Sequence, residues 1–174
     1  MSESLENFTN IVKEDIKEAK TLFFSEAFKE EYLKDRREEK ELYHQLLLGR
    51  NRNQILEEFL LSSGQKKPVL LSAAKTIYQA TIMNLDEPLE IKVKREGWGY
   101  LVGRIKSDGT FLSLHKNTFQ AEDFEDGTLT IYADMKTIPK DGDIDHLIIQ
   151  TVYQTLQIEV VYKEKKKKNS VKRN

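Results

Sequence analysis

Apolar residues recur every three or four positions over the first third of the chain, and every second position after that. From Ser4 to Gly64, Leu5, Phe8, Val12, Ile16, Ala19 and Phe23 share one helical face. Ser25-Glu26 reads as an N-cap followed by a first-turn acid, opening a second helix that runs from Ala27 into the forties. Its apolar positions are Phe28, Tyr32, Leu33, Leu42, Tyr43, Leu46 and Leu47. The charged run KDRREEKE between them, Lys34–Glu41, reads as a solvated helical stretch. Gly49 and Asn51 mark a break, and Ile55, Leu56, Phe59 and Leu60 form the face of a third, short helix. Gly64 suits the position just past its end, and Pro68 follows shortly.

After Pro68 the period becomes two. Leu89, Ile91 and Val93 alternate with charged residues, as do Leu101, Gly103 and Ile105 with Val102, Arg104 and Lys106. Leu112 and Leu114, then Leu129, Ile131 and Ala133, then Leu147, Ile149 and Thr151, then Leu156, Ile158, Val160 and Tyr162 continue the pattern. About six strands result, and Val69–Ile82 adds one or two. One apolar face per strand implies antiparallel sheets, which pack face to face to bury it. No helical pattern intervenes, so a parallel α/β sheet is disfavoured. Asp108-Gly109, Asp126-Gly127 and Asp141-Gly142 punctuate the region, and Asp-Gly between alternating segments is a hairpin signal.

Charge is unevenly distributed. The net charge is −1, yet residues 163–174 alone carry seven basic side chains and one acidic one. Residues 68–162 carry nine basic and fourteen acidic side chains, so that part is acidic. The tail KEKKKKNSVKRN has no aromatic residue to stack on bases, which argues against specific nucleic-acid recognition and for a solvated extension or linker. The chain has no cysteine, so disulfides and thiolate metal sites are excluded. MSESLENFTN lacks the basic and apolar regions of a leader, and no apolar run approaches a membrane span, which predicts a cytoplasmic protein without membrane insertion.

Candidate chemistry is thin. The three histidines, His44, His115 and His146, have no helical metal spacing. Asp141, Asp143 and Asp145 resemble the start of a calcium loop, but its sixth and twelfth positions hold His146 and Val152 where Gly and Glu are required. An Asp-rich turn is the better reading; only a second acidic loop, Glu122–Asp126, brought beside it would complete a cation site. If the acidic turns share one end of a sandwich, that rim is the expected binding surface. Gly97-Trp98-Gly99-Tyr100-Leu101-Val102-Gly103 fails the phosphate-loop pattern, since Val102 replaces the third Gly and a strand follows. Trp98, the only tryptophan, either plugs the sandwich core or closes its end, or else faces a ligand. No G-x-S-x-G elbow or Ser/His/Asp set occurs, so no catalytic residue is assigned.

One spaced series is distinctive. Glu96-Gly97-Trp98-Gly99-Tyr100, Ser107-Asp108-Gly109-Thr110-Phe111-Leu112, Glu122-Asp123-Phe124, Ile131-Tyr132, Ile138-Pro139 and the strands Leu147–Thr151 and Leu156–Val161 follow in order. The series resembles immunoglobulin-like β-sandwich modules near the N-termini of long, uncharacterised multidomain proteins of anaerobic Gram-positive bacteria. Ala19–Phe23, Phe28, Leu42-Tyr43 and Leu56–Leu60 resemble the helical spacer between two such modules. The resemblance implies a non-catalytic module cut from a longer chain, and it supplies no active site.

The expectation is α+β by segregation. Residues 1–66 form an α-helical region of about three helices, 67–163 an antiparallel immunoglobulin-like β-sandwich, and 164–174 a basic tail or linker. Function is expected to be structural or protein–protein interaction, with neighbouring domains or another protein as partner, no cofactor and no metal. The alternative is a carbohydrate-binding module using Trp98, Tyr100 and Tyr132, and Asp141, Asp143 and Asp145 complete the set of candidate interaction residues. Oligomeric state is not legible in the pattern.

Overall fold

The computed structural model describes residues 4–164. Within these residues the chain forms two compact units: the residues up to 68 with 97–100, and residues 69–96 with 101–164.

The helical unit contains five helices where the periodicity predicts about three: α1 Leu5–Glu14, α2 Ile16–Phe23, α3 Ala27–Tyr32, α4 Arg37–Leu46 and α5 Arg52–Ser62. Capping explains the extra breaks. Asp15 leaves the helical region of backbone space, and its carboxylate accepts from the Glu18 N–H, ending α1 and starting α2 without disturbing the apolar face. Ser25, expected to cap the next helix, instead donates from its hydroxyl to the Leu22 carbonyl and closes α2. The charged run is split, with Lys34–Arg36 outside any helix and the rest in α4. Asn51 caps α5 at the Gln54 N–H. At its far end the Gly64 N–H donates to Leu61 O and the Gln65 N–H to Leu60 O, a Schellman ending.

The core of this unit is aromatic. Phe23 lies 4.9 Å between ring centroids from each of Phe28 and Tyr43, and 5.2 Å from Phe59. Phe8 meets Phe28 edge-on at 4.8 Å. Such offset and edge contacts contribute about 1 kcal/mol each beyond area burial. The Tyr43 hydroxyl donates to the Phe23 carbonyl at the end of α2, and burial pushes the phenol's pKa upward.

The second unit is a two-sheet sandwich of nine strands: β1 Leu70–Ala73, β2 Ile77–Ala80, β3 Leu89–Glu96, β4 Val102–Ser107, β5 Leu112–Leu114, β6 Thr118–Gln120, β7 Thr128–Met135, β8 Ile144–Gln150 and β9 Thr155–Tyr162. One sheet has the order β1-β3-β7-β5 and the other β2-β9-β8-β4-β6. A single core takes Leu71, Ile91, Val93, Leu112, Leu129 and Ile131 from the first sheet, and Tyr78, Ile105, Phe119, Leu147, Ile158 and Val160 from the second. The alternation read from the sequence is therefore the alternation of burial along these strands.

The strand order is immunoglobulin-like. The four-strand order and the β9-β8-β4 run match the two sheets of a constant-type domain, with β6 added at an edge. One pairing departs from the all-antiparallel expectation: β2 runs parallel to β9, from Ile77 opposite Glu159 to Ala80 opposite Tyr162. The chain leaves β1 in one sheet and enters β2 in the other, so the first strand is split between them.

The Asp-Gly turns also differ from simple hairpins. Asp108-Gly109 joins β4 to β5 and Asp141-Gly142 joins β7 to β8, and both connections cross between sheets. Asp126-Gly127 alone makes a primed two-residue turn, with φ of 51° and 78° and two hydrogen bonds between Glu125 and Thr128. The within-sheet hairpin lies at Thr151–Gln154, between β8 and β9.

Candidate functional site

Trp98 belongs to the helical unit and is half-buried against its aromatic core, not in the core of the sandwich as the sequence suggests. The anchor is Lys66, whose side chain is fully buried. Its Nζ lies 2.6 Å from Glu57 Oε2, donates to the Trp98 carbonyl at 2.6 Å, and sits 4.4 Å from the indole centroid. Lys13 Nζ approaches the same ring at 5.1 Å. Gly99 makes this possible: its φ is +100°, and a Cβ there would stand 2.7 Å from Lys66 Nζ. Asn51 Nδ2 donates to the Tyr100 hydroxyl at 3.4 Å. These cation contacts take up the indole of Trp98, the surface on which a sugar would stack.

The three aspartates are turn-formers. Asp141 accepts from the Glu164 N–H at 2.9 Å, and Asp143 from the Lys140 N–H at 2.9 Å. Asp145, expected as an exposed interaction residue, is fully buried. Its carboxylate accepts from the N–H groups of Asp108, Phe111 and Leu112 at 3.0–3.1 Å, holding the crossing from β4 to β5. Beside it, His146 Nδ1 lies 2.6 Å from Asp108 Oδ2, and Nε2 lies 3.7 Å from Glu159. The hydrogen bond to Asp108 raises the imidazole pKa, with the Asp108, Glu159 and Asp145 charges adding to it and desolvation opposing.

The acidic turns do not form one rim. Gly127 O accepts from Arg95 at the end of β3, and β6 closes on the start of β4, so Glu122–Asp126 lies at that end of the sandwich. Asp141–Asp145 sits where β8 begins and β9 ends, beside Asp108 at the end of β4. The two clusters are at opposite ends, and among the described residues no group of three or more acidic or imidazole side chains is placed to hold a metal. Tyr132 is exposed on β7, its ring stacked on His115 at 5.9 Å. The six sequence candidates thus divide into the helical-unit pair Trp98 and Tyr100, the end-turn aspartates, and Tyr132 on a sheet face.

The structure brings together a surface the sequence reading did not single out. On the outer face of the five-stranded sheet, Arg104 stands in register with Thr118 on one side and Gln150 on the other, and Val102 with Gln120. These residues, with Lys116, Thr151 and the exposed Val152, line an open groove of about 740 Å³. Phe119 floors it from the inner face. Gly103 leaves room for that ring, since a Cβ there would lie 2.3 Å from Phe119 Cζ. Asp123, at the groove margin, accepts from the Gln120 N–H at 2.8 Å and pairs with Lys116 at 3.3 Å. The Gln120 bond, aided by Lys116, holds its carboxyl below the usual range. A second groove, of about 520 Å³, shares Lys116 and adds Lys106, His115 and Lys136. The only sequence signal for this surface was the outward run Val102, Arg104, Lys106 on one strand; its neighbours come from other strands.

The family model described as "Family of unknown function (DUF5717) N-terminal" matches residues 2–174. The chain belongs to this family. No curated protein matches it. Among solved structures, the apo-form Calx CBD1 domain is similar at 11% identity and a TM-score of 0.40, over 56% of this chain and 98% of that one. Domains 4 and 5 of the S-layer protein SbsC are similar at 11% identity and a TM-score of 0.38, over 54% of this chain and 51% of that one. Titin domain M7 is similar at 13% identity and a TM-score of 0.34, over 55% of this chain and 94% of that one. Among the described residues, no helix is long and apolar enough to cross a membrane. Residues 165–174, most of the expected basic tail, lie outside the described residues.

Proposed function

We propose that this family member is a non-catalytic module that binds another polypeptide through the outer face of its sandwich. The observation that supports this reading is the open groove across β6, β4 and β8, where the exposed apolar side chains of Val102 and Val152 stand beside Arg104 and the cross-strand neighbours Thr118, Gln120 and Gln150. Apolar contact ringed by hydrogen-bonding groups is the make-up of a protein-binding patch. The edge is not built for strand addition: β6 has three residues, and the Asp123 carboxylate occupies the Gln120 N–H. Contact through side chains on the sheet face follows. The family's N-terminal description supports the further reading that neighbouring domains of a longer protein are among the partners.

A photo-crosslinking residue placed at Val152 or Thr118 in the protein in its native cells tests this. A discrete adduct with another polypeptide is expected from both positions and not from Glu90, which is exposed on the other sheet. Adduct formation no greater than at Glu90 would refute the assignment of this face.

A further inference from the structure

We infer that the segment bound on this face is acidic and extended, and that Arg104 and Lys106 read its charge; this rests on the polypeptide-binding reading above. Residues 68–162 carry nine cations against fourteen acids, yet four of those nine, Arg104, Lys106, Lys116 and Lys136, line the two adjoining grooves. Lys116 pairs with Asp123, whereas no ion pair among the described residues engages Arg104, Lys106 or Lys136. A run of uncommitted positive charge on an otherwise acidic domain selects a negative partner.

Spacing narrows the partner further. Arg104 and Lys106 are alternate residues of β4 on one face, so their Cα atoms stand about 7 Å apart. An extended peptide laid along β4 presents its own alternate side chains at the same interval. Acids at every second position therefore meet Arg104 and Lys106 in turn, while the intervening backbone passes over Val102 and the groove floor. The ring of Phe119 is buried beneath that floor, and the one exposed ring lining the grooves among the described residues, the His115 imidazole, is already stacked on Tyr132. A polyanion held by base stacking is therefore less well matched than a peptide.

The test uses the full chain, nitrogen-15 labelled, titrated with a short peptide alternating glutamate and threonine, its glutamine counterpart, and a short oligothymidylate. The glutamate peptide is expected to move the amide resonances of Val102–Lys106 and Thr118–Gln120, and to bind about tenfold more tightly than the glutamine peptide. Its affinity should fall several-fold between about 20 and about 200 mM salt. The double substitution Arg104→Glu with Lys106→Glu, at exposed positions, should remove the preference for glutamate. Equal binding of the glutamate and glutamine peptides in the groove would overturn the charge inference and leave polypeptide binding standing. Failure of both peptides to perturb the groove overturns the inference, with the crosslinking result then deciding the broader reading. Tighter binding of oligothymidylate at the same amides would overturn it in favour of a nucleic-acid surface.

Discussion

Three backbone N–H groups converge on the carboxylate of Asp145, and the residue owes its burial to them. Sequence alone placed it in a solvated Asp-rich turn with Asp141 and Asp143, because all three obey the same local rule. Asp145 differs in being the second residue of β8, where its side chain points inward beneath the β4–β5 crossing. Asp145→Ala would strand buried donors and is expected to cost about 3 kcal/mol, read as a lower denaturant midpoint, while Asp141→Ala costs less than half as much. His146 carries the pH dependence of the same corner. Folding raises its proton affinity, so its stabilising contribution is fully present below the unfolded imidazole's value of about 6.5 and is lost as pH rises through the higher folded value. A proton NMR titration should find His146 above the ordinary imidazole value, and Asp108→Asn should move it back down. An unchanged titration in Asp108→Asn would remove Asp108 as the cause.

At the scale of elements, chain punctuation was legible and its geometry was not. Each Asp-Gly pair does lie between two consecutive strands, but all three connections carry the chain to the opposite sheet. A strand that pairs with its predecessor and one that faces it across the core bury the same alternate residues, so period two cannot distinguish them. The helical breaks failed for another reason. Asp15 interrupts the backbone without interrupting the apolar face, so periodicity passes over it. Gly103 shows how a strand glycine is fixed by its neighbour: it faces Phe119 across the β4–β6 pair. A methyl group there meets Phe119 and the Gln150 carbonyl at 2.3 and 2.6 Å. Gly103→Ala should therefore cost about 1–3 kcal/mol by overpacking, and loosen β6 in hydrogen exchange before the rest of the sandwich. If exchange in β6 is unchanged, the close contact is relieved elsewhere.

For the whole molecule, the notable point is that the helical unit is not a contiguous stretch of sequence. Gly97–Tyr100 joins it from between two sandwich strands, and the Trp98 carbonyl satisfies a lysine that is itself buried. A fragment of residues 1–68 leaves the Lys66 ammonium without that acceptor, and a buried charge with an incomplete shell is costly. Hydrogen exchange in α5 around Glu57 is expected to be at least about tenfold faster in the fragment than in the full chain. Equal protection would show that the four-residue segment adds nothing to the unit. The sequence by itself determined the two periodicities, hence a helical first third, a two-sheet remainder and nearly all of the core, because burial of alternating or helical faces is written locally. It also marked Gly97–Gly103 as unusual. Only the tertiary structure decided which strands are neighbours, that Trp98 serves the helices, that Asp145 is buried, and that Arg104 and Lys106 stand on a groove built with residues of other strands. Each of these depends on contacts between residues far apart in the chain, whose partners no local pattern specifies.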